Sequence, residues 1–175
     1  MKTLFVLRHA KAETGGEGTQ DIDRALTERG QNDARSLGEL MAKESWDIDC
    51  VLCSSSARTR QTASLMNAAL ATPIPVTYRD SLYLAEAGDI QSELQQLDDA
   101  VSAALIIGHN PGLHQFCLQT AIHGDAHLMS DIALRFPTCA VATITLNIEH
   151  WADLSDRCGT LVDFIDRHMT GERLY

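Results

Sequence analysis

Three short stretches carry residue types that could move a phosphoryl group: Arg8-His9, Ser54-Ser55-Ser56-Ala57-Arg58 and His109-Asn110. A neutral imidazole is a competent nucleophile near neutral pH and can carry a phosphoryl group covalently. A phosphoryl group in transfer spreads negative charge over three oxygens, so its catalysis rests on positioning and electrostatic stabilisation. Arginine suits that task because its planar guanidinium stays charged and meets phosphate oxygens through paired N–H bonds. Two histidines and two arginines brought together would form a metal-independent phosphoryl-transfer pocket. A helix starting after Asn110 would add backbone N–H groups and a favourable dipole. Taken singly, each residue has an ordinary alternative. A strand-end histidine is commonly a hydrogen-bonded surface residue, Asn110-Pro111 is good helix-entry chemistry, and Arg58 could be solvated on a helix face, as Arg60 is expected to be.

The order of the elements is what would bring these stretches together. Residues 3–7 read as a buried strand, 14–24 as a loop, and Thr27 can cap a helix over about 28–44 with Ala34, Leu37, Leu40 and Met41 on one stripe. A strand at 49–53 precedes a helix over about 57–71, and a short strand is expected near 75–79. A helix over 88–99, a buried strand at 103–107 and a helix from Pro111 to about 122 follow. Residues 139–147 alternate as a strand, and 161–165 read as a last short one. Such alternation predicts an α/β chain with a mostly parallel sheet, and the length fits a single domain over residues 1–175. Ligands of such sheets bind beyond the carboxyl ends of the strands. Arg8-His9, Ser54 to Arg58 and His109-Asn110 are what that rule selects.

Composition narrows the partners. There are 14 basic against 24 acidic residues, a net charge of −10, and no Lys/Arg run. Binding to a nucleic-acid backbone or an anionic membrane needs a basic face, so neither partner is expected. A small concentrated anion site remains compatible with an acidic protein. The five cysteines are scattered and odd in number; Cys50 and Cys53, three apart on a strand, would point to opposite faces, so reduced structural thiols are expected. No stretch approaches a membrane span and the apolar run 3–7 is too short for a signal peptide, which predicts a cytoplasmic protein. His123 and His127 have the spacing of a helical metal pair, but Gly124 and Asp125 argue for an exposed loop there and no third ligand is evident. Gly15-Gly16-Glu17-Gly18 lacks the Lys-Ser/Thr of a P-loop and reads as a flexible loop.

Leu7-Arg8-His9-Ala10 after a first strand resembles the Arg-His-Gly signature of the histidine phosphatase superfamily, which includes the phosphoglycerate mutases. Ser54 to Ala63 resembles the second block, Ser-x-x-x-Arg-x-x-x-Thr-Ala, and Ile107 to Gly112 the third, where a second histidine follows a buried strand. Asp23 to Gly30, Leu82-Tyr83 and Phe136-Pro137-Thr138 are similar to the small SixA-type phosphohistidine phosphatases. The resemblance implies a three-layer α/β/α sandwich of phosphoglycerate mutase type. It implies His9 as the phosphorylated nucleophile, Arg8 and Arg58 as phosphoryl ligands, and His109 completing the cradle. No cofactor is implied. The implied substrate is phosphohistidine in a protein. A small phosphorylated metabolite or phosphoserine is the alternative within the same chemistry, and a non-catalytic phosphate-binding adaptor the alternative outside it.

Two departures from the family pattern bear on the site. Ala10 replaces the usual glycine, so the turn must tolerate a Cβ, and the asparagine that commonly follows is missing. Thr14 or the backbone of Gly15-Gly16 could supply its phosphate contact. Glu86 and Asp89 are candidate general acids by position, with solvated loop and helix cap as their other roles. A phosphohistidine substrate reduces the need for an acid, because imidazole leaves readily once its other nitrogen is protonated.

Overall fold

The computed structural model describes residues 1–16 and 18–166. Its centre is a seven-stranded sheet. The strands are β1 (Lys2–Arg8), β2 (Cys50–Ser54), β3 (Val76–Arg79), β4 (Ala103–Gly108), β5 (Ala121–Gly124), β6 (Val141–Leu146) and β7 (Gly159–Ile165), in the spatial order β3-β2-β4-β1-β6-β7-β5. The β3-β2-β4-β1 half is parallel throughout, while β6 runs antiparallel to both β1 and β7. Every residue of β4 is buried, as befits a strand covered on both faces. The sheet is mixed and mostly parallel, and helices on both faces complete the expected three layers.

Each layer follows from apolar periodicity. Helices α1 (Glu28–Lys43) and α2 (Ala57–Asn67) cover one face, packing Ala34, Leu37, Met41, Ala63 and Met66 on Phe5, Leu7, Val51 and Leu105. Helices α3 (Ala87–Leu94), α4 (Gly112–Thr120) and α5 (Ala126–Leu134) cover the other, with Ile90, Leu94, Leu113, Phe116 and Ile132 against Leu4, Val6, Ile106 and Ile144. Thr27 caps α1 by accepting the Gly30 amide at 3.0 Å. Cys50 packs in one core and Cys53 in the other, so strand alternation separates them. No helix among the described residues is long and apolar enough to cross a membrane.

Five expectations change, the first being that the helix expected over 57–71 ends at Asn67. The helix expected over 88–99 ends at Leu94, and the one after Pro111 begins at Gly112 and ends at Thr120. Residues 121–124 form edge strand β5 rather than the end of that helix, and the segment after it is helical, with Asp125 capping α5 through the amides of His127 and Leu128. The supposed loop around His123 and His127 is therefore a strand followed by a helix start.

Gly112 shows how tightly the second half is set. A Cβ there would lie 1.9 Å from the Ala85 carbonyl oxygen, a backbone atom that cannot swing away. Gly112→Ala is expected to destabilise by about 1–3 kcal/mol, as overpacking does. A urea unfolding midpoint unchanged from wild type would contradict that.

Candidate active site

The strand ends converge as the topology requires. β2, β4 and β1 are neighbours in that order and parallel, so Ser54, Gly108 and Arg8 finish at one end of the sheet, its carboxyl end. A cavity of about 320 Å³ opens there, lined by Arg8, His9, Arg58 and His109, with Asp21, Arg24, Lys11 and Asn110 around them.

Arg8 and His9 are neighbours, and both line the cavity because the chain bends beyond the strand. His9 still pairs its amide with the Gly108 carbonyl, while the Cys139 amide is shared between the carbonyls of Arg8 and His9. The Ala10 amide then leaves the sheet and donates to Thr62 Oγ1 at 3.0 Å; that hydroxyl in turn donates to the Arg58 carbonyl at 2.7 Å. One threonine thus ties the bend after His9 to the first turn of α2. Ala10 is fully buried and is not among the residues with positive φ, so its methyl is accommodated there.

The His9 ring has a defined tautomer. Nδ1 lies 2.7 Å from the Ala10 carbonyl oxygen, which can only accept, so Nδ1 carries the proton and Nε2 keeps its lone pair. The residue is 8% exposed. Burial pushes its pKa down to about 4, and the nearby charges of Arg58, Arg8 and Arg24 act in the same direction, against the Ala10 hydrogen bond. His9 is therefore a neutral imidazole at physiological pH, with its basic nitrogen free.

His109 is assigned by the same reasoning. Arg58 Nη2 stands 3.4 Å from His109 Nδ1, and a guanidinium only donates, so Nδ1 accepts and Nε2–H donates to Ser54 Oγ at 2.7 Å. Burial, followed by the charges of His9 and Arg58, lowers its pKa to about 3. The two rings lie 5.2 Å apart, and the Tyr83 ring meets His109 edge-on at 5.6 Å. The serines divide the labour: Ser54 holds His109, and Ser56 caps α2.

The arginines are held by fixed acceptors. Arg8 Nη1 donates to the Phe136 carbonyl at 2.9 Å, and the same oxygen receives Asn110 Nδ2 at 2.8 Å. Arg58, 1% exposed, donates through Nη1 to the Asp21 carbonyl at 2.6 Å and through Nη2 to its carboxylate at 3.0 Å. Nε of both arginines is buried without a hydrogen-bond partner among the described residues.

Asp21 was not legible in the sequence. It sits in a 3₁₀ turn, Asp21–Asp23, inside a segment read only as polar loop. Its carboxylate also receives Arg24 Nε at 2.9 Å and the Tyr83 hydroxyl at 2.6 Å. Chiefly the Tyr83 hydrogen bond, helped by Arg58 and Arg24, holds its pKa down at about 2. An acidic residue in a stretch without periodicity gives no signal of where it will land.

The four residues selected from strand ends are together; the three secondary candidates lie elsewhere. Thr14 is exposed and lines a neighbouring groove with Glu13, Gly15, Gly16, Thr19 and Asp23. Glu86 and Asp89 are exposed and do not line the cavity; Asp89 accepts the Glu86 amide at 3.1 Å and caps α3. His123 on β5 and His127 in the first turn of α5 are both exposed, and no group of three or more His, Cys, Asp or Glu is placed to hold a metal among the described residues.

Protonation of this site sets an unusual pH range. Lone-pair chemistry at His9 needs the neutral ring, which persists as pH falls until about 4. The acid limb of kcat/KM is expected there, well below the ordinary histidine value of about 6.5. Stability moves in the same direction. Between about pH 6.5 and about 4 the unfolded chain binds protons that His9 and His109 refuse in the fold, so stability falls as pH falls through that window. Urea midpoints at about pH 7 and about pH 5 would measure it, and equal midpoints would contradict it.

Comparison with known proteins agrees with the geometry. The sequence model of the histidine phosphatase superfamily (branch 1) matches residues 4–105. An uncharacterised protein of Mycobacterium tuberculosis (strain ATCC 25618 / H37Rv) is 34% identical over 160 residues, covering 90% of this chain and 98% of its own. A protein of Nakamurella multipartitia, provisionally described as a phosphohistidine phosphatase SixA, superposes with a TM-score of 0.82 at 25% identity, over 94% of this chain and 95% of its own. Its counterpart in Agrobacterium tumefaciens, equally provisional in description, gives 0.77 at 28% identity, over 94% and 98%.

Proposed function

The chain belongs to the histidine phosphatase superfamily (branch 1), and from that premise we propose that it hydrolyses phosphohistidine through a phosphoenzyme intermediate on His9 Nε2. The observation that carries this reading is the neutral, tautomer-fixed His9 ring in a cavity with Arg8, Arg58 and His109. Nε2 attacks phosphorus, a P–N bond forms as the bond to the leaving group breaks, and the ring becomes an imidazolium. The Ala10 carbonyl, already bonded to Nδ1–H, stabilises that positive charge. Water then attacks the phosphohistidine, and dihydrogen phosphate leaves the neutral ring behind. Arg8 and Arg58 hold the phosphoryl oxygens throughout; no step requires a metal, so EDTA should leave the rate unchanged.

His109 adapts on binding. A phosphoryl dianion offsets the positive charges that depress its pKa, so the ring gains proton affinity and Nδ1 can become a donor toward the phosphoryl group. Imidazole NMR titration with and without bound inorganic phosphate is expected to show the His109 pKa raised in the complex. A value unmoved by phosphate would remove His109 from the cradle.

Two features favour a protein side chain as substrate. Both SixA-like structures carry that provisional description, and the chain between β3 and β4 adds only a turn and α3, leaving the cavity reachable past the 47%-exposed Asp21 side chain. Competition of a phosphohistidine protein against small phosphate esters, ranked by kcat/KM, tests this. A preference for an ester would move the assignment to metabolite or phosphoserine hydrolysis.

A further inference from the structure

Asp21 is a carboxylate in a cavity suited to an anion, and among the described residues it is the one acidic group lining that cavity. Arg8, Lys11, Arg24 and Arg58 line it as cations. A carboxylate here opposes a phosphoryl dianion, so it needs a role other than binding phosphate. Its two oxygens offer about four lone-pair positions. Arg24 Nε takes one on Oδ1, while Arg58 Nη2 and the Tyr83 hydroxyl take two on Oδ2. With the side chain 47% exposed, an acceptor position on Oδ1 stays open to a group arriving from solvent. Leu84 lines the same cavity, 55% exposed and at φ 51°, a left-handed conformation uncommon for a residue with a bulky side chain. An open anionic acceptor near an exposed apolar side chain fits a flat group with apolar faces and a positively charged N–H edge.

We propose that Asp21 and Leu84 form the leaving-group subsite, and that Asp21 selects substrates whose phosphoryl group is carried by a protonated nitrogen heterocycle, an imidazolium. This rests on the phosphatase reading above and specifies what that site discriminates. In the transfer step the bond between phosphorus and the substrate ring nitrogen breaks, and its electron pair returns to that nitrogen. The proton on the other ring nitrogen stays where it is, hydrogen-bonded to Asp21, so the ring departs as neutral imidazole with no acid required. Asp21 stabilises the protonated ring from which departure is easy. An oxygen ester brings neither an N–H nor a positive charge to that position, and meets only the repulsion of the carboxylate.

The test is the ratio of kcat/KM for a phosphohistidine peptide to that for p-nitrophenyl phosphate. Asp21→Asn is expected to lower the ratio about tenfold or more, the worth of a charge-assisted hydrogen bond. Asp21→Glu, which keeps the charge, should hold it within about threefold of wild type. If both substrates slow equally in Asp21→Asn, the residue only positions Arg58 and the proposal is overturned. Should Asp21→Asn lack the native circular dichroism, Asp21→Ser is read by the same ratio. Wild-type protein that hydrolyses neither substrate would overturn the phosphatase reading itself; hydrolysis of both, with a ratio indifferent to residue 21, would overturn this inference alone.

Discussion

Protein carrying His9→Ala is expected to lose about four orders of magnitude or more in kcat, and to hold no phosphoryl group after an alkaline quench. The ring supplies the attacking nitrogen, and neither His109 nor the two arginines of the cradle can replace it. His109 directs Nε2 to Ser54 and Nδ1 to Arg58, so its basic nitrogen is already engaged by a cation. The arginines stay protonated and cannot attack. The variant should nevertheless keep its fold, because the His9 side chain hydrogen-bonds to the adjacent Ala10 carbonyl and otherwise packs beside the His109 ring, while the bend is held by backbone bonds and Thr62. It should also still bind inorganic phosphate through Arg8 and Arg58. Those two readouts separate an enzyme from an adaptor. An adaptor would bind phosphate with or without the ring and would never become phosphorylated. Retained turnover in the variant, or label on another residue of the wild type, would end the covalent mechanism.

Arg58→Lys is expected to lower kcat/KM by about 10²–10³-fold while leaving the acid limb of the pH profile in place. Arg58 does several jobs with one plane: Nη1 to the Asp21 carbonyl, Nη2 to its carboxylate and toward His109 Nδ1. An ammonium is a point charge and cannot reach these positions at once. It does keep the positive charge that helps depress the His9 pKa, so the protonation behaviour survives while the geometry is lost. Arg58→Met would remove both, and the His9 pKa should then rise. A lysine variant with wild-type activity would show that charge alone suffices here.

The fold and the central four residues could be read because they obey rules that act locally. Thr27 announces α1 through its cap, and β4 announces burial by having no polar residue between Ala103 and Gly108. The carboxyl-end rule then picks Arg8, Arg58 and His109 without any distance being known. What escaped depends on long-range partners. β5 is four residues long and exists because β7 pairs with it; α5 buries only Ile132 fully, too little for an apolar stripe to stand out. Asp21 escaped because its position is set by Arg58, Arg24 and Tyr83, which lie three to about sixty residues away in the chain. Glu86 and Asp89 were candidate acids by position alone, and position could not show that neither lines the cavity or that Asp89 accepts the Glu86 amide at the head of α3.

The placement of β1 has a consequence for how the protein is made. Its lateral neighbours, β4 and β6, pair through Ala103–Gly108 and Val141–Leu146, so on the ribosome an apolar strand waits with both edges open until distant sequence emerges. Closing such non-local pairs is slow, and the waiting strand is a natural client for a chaperone. The Phe136 carbonyl that receives Arg8 arrives late as well. Until that sequence has been translated, the arginine has no anchor and the histidine no burial. A truncated or stalled chain therefore carries the reactive residues without the arrangement that would make them reactive.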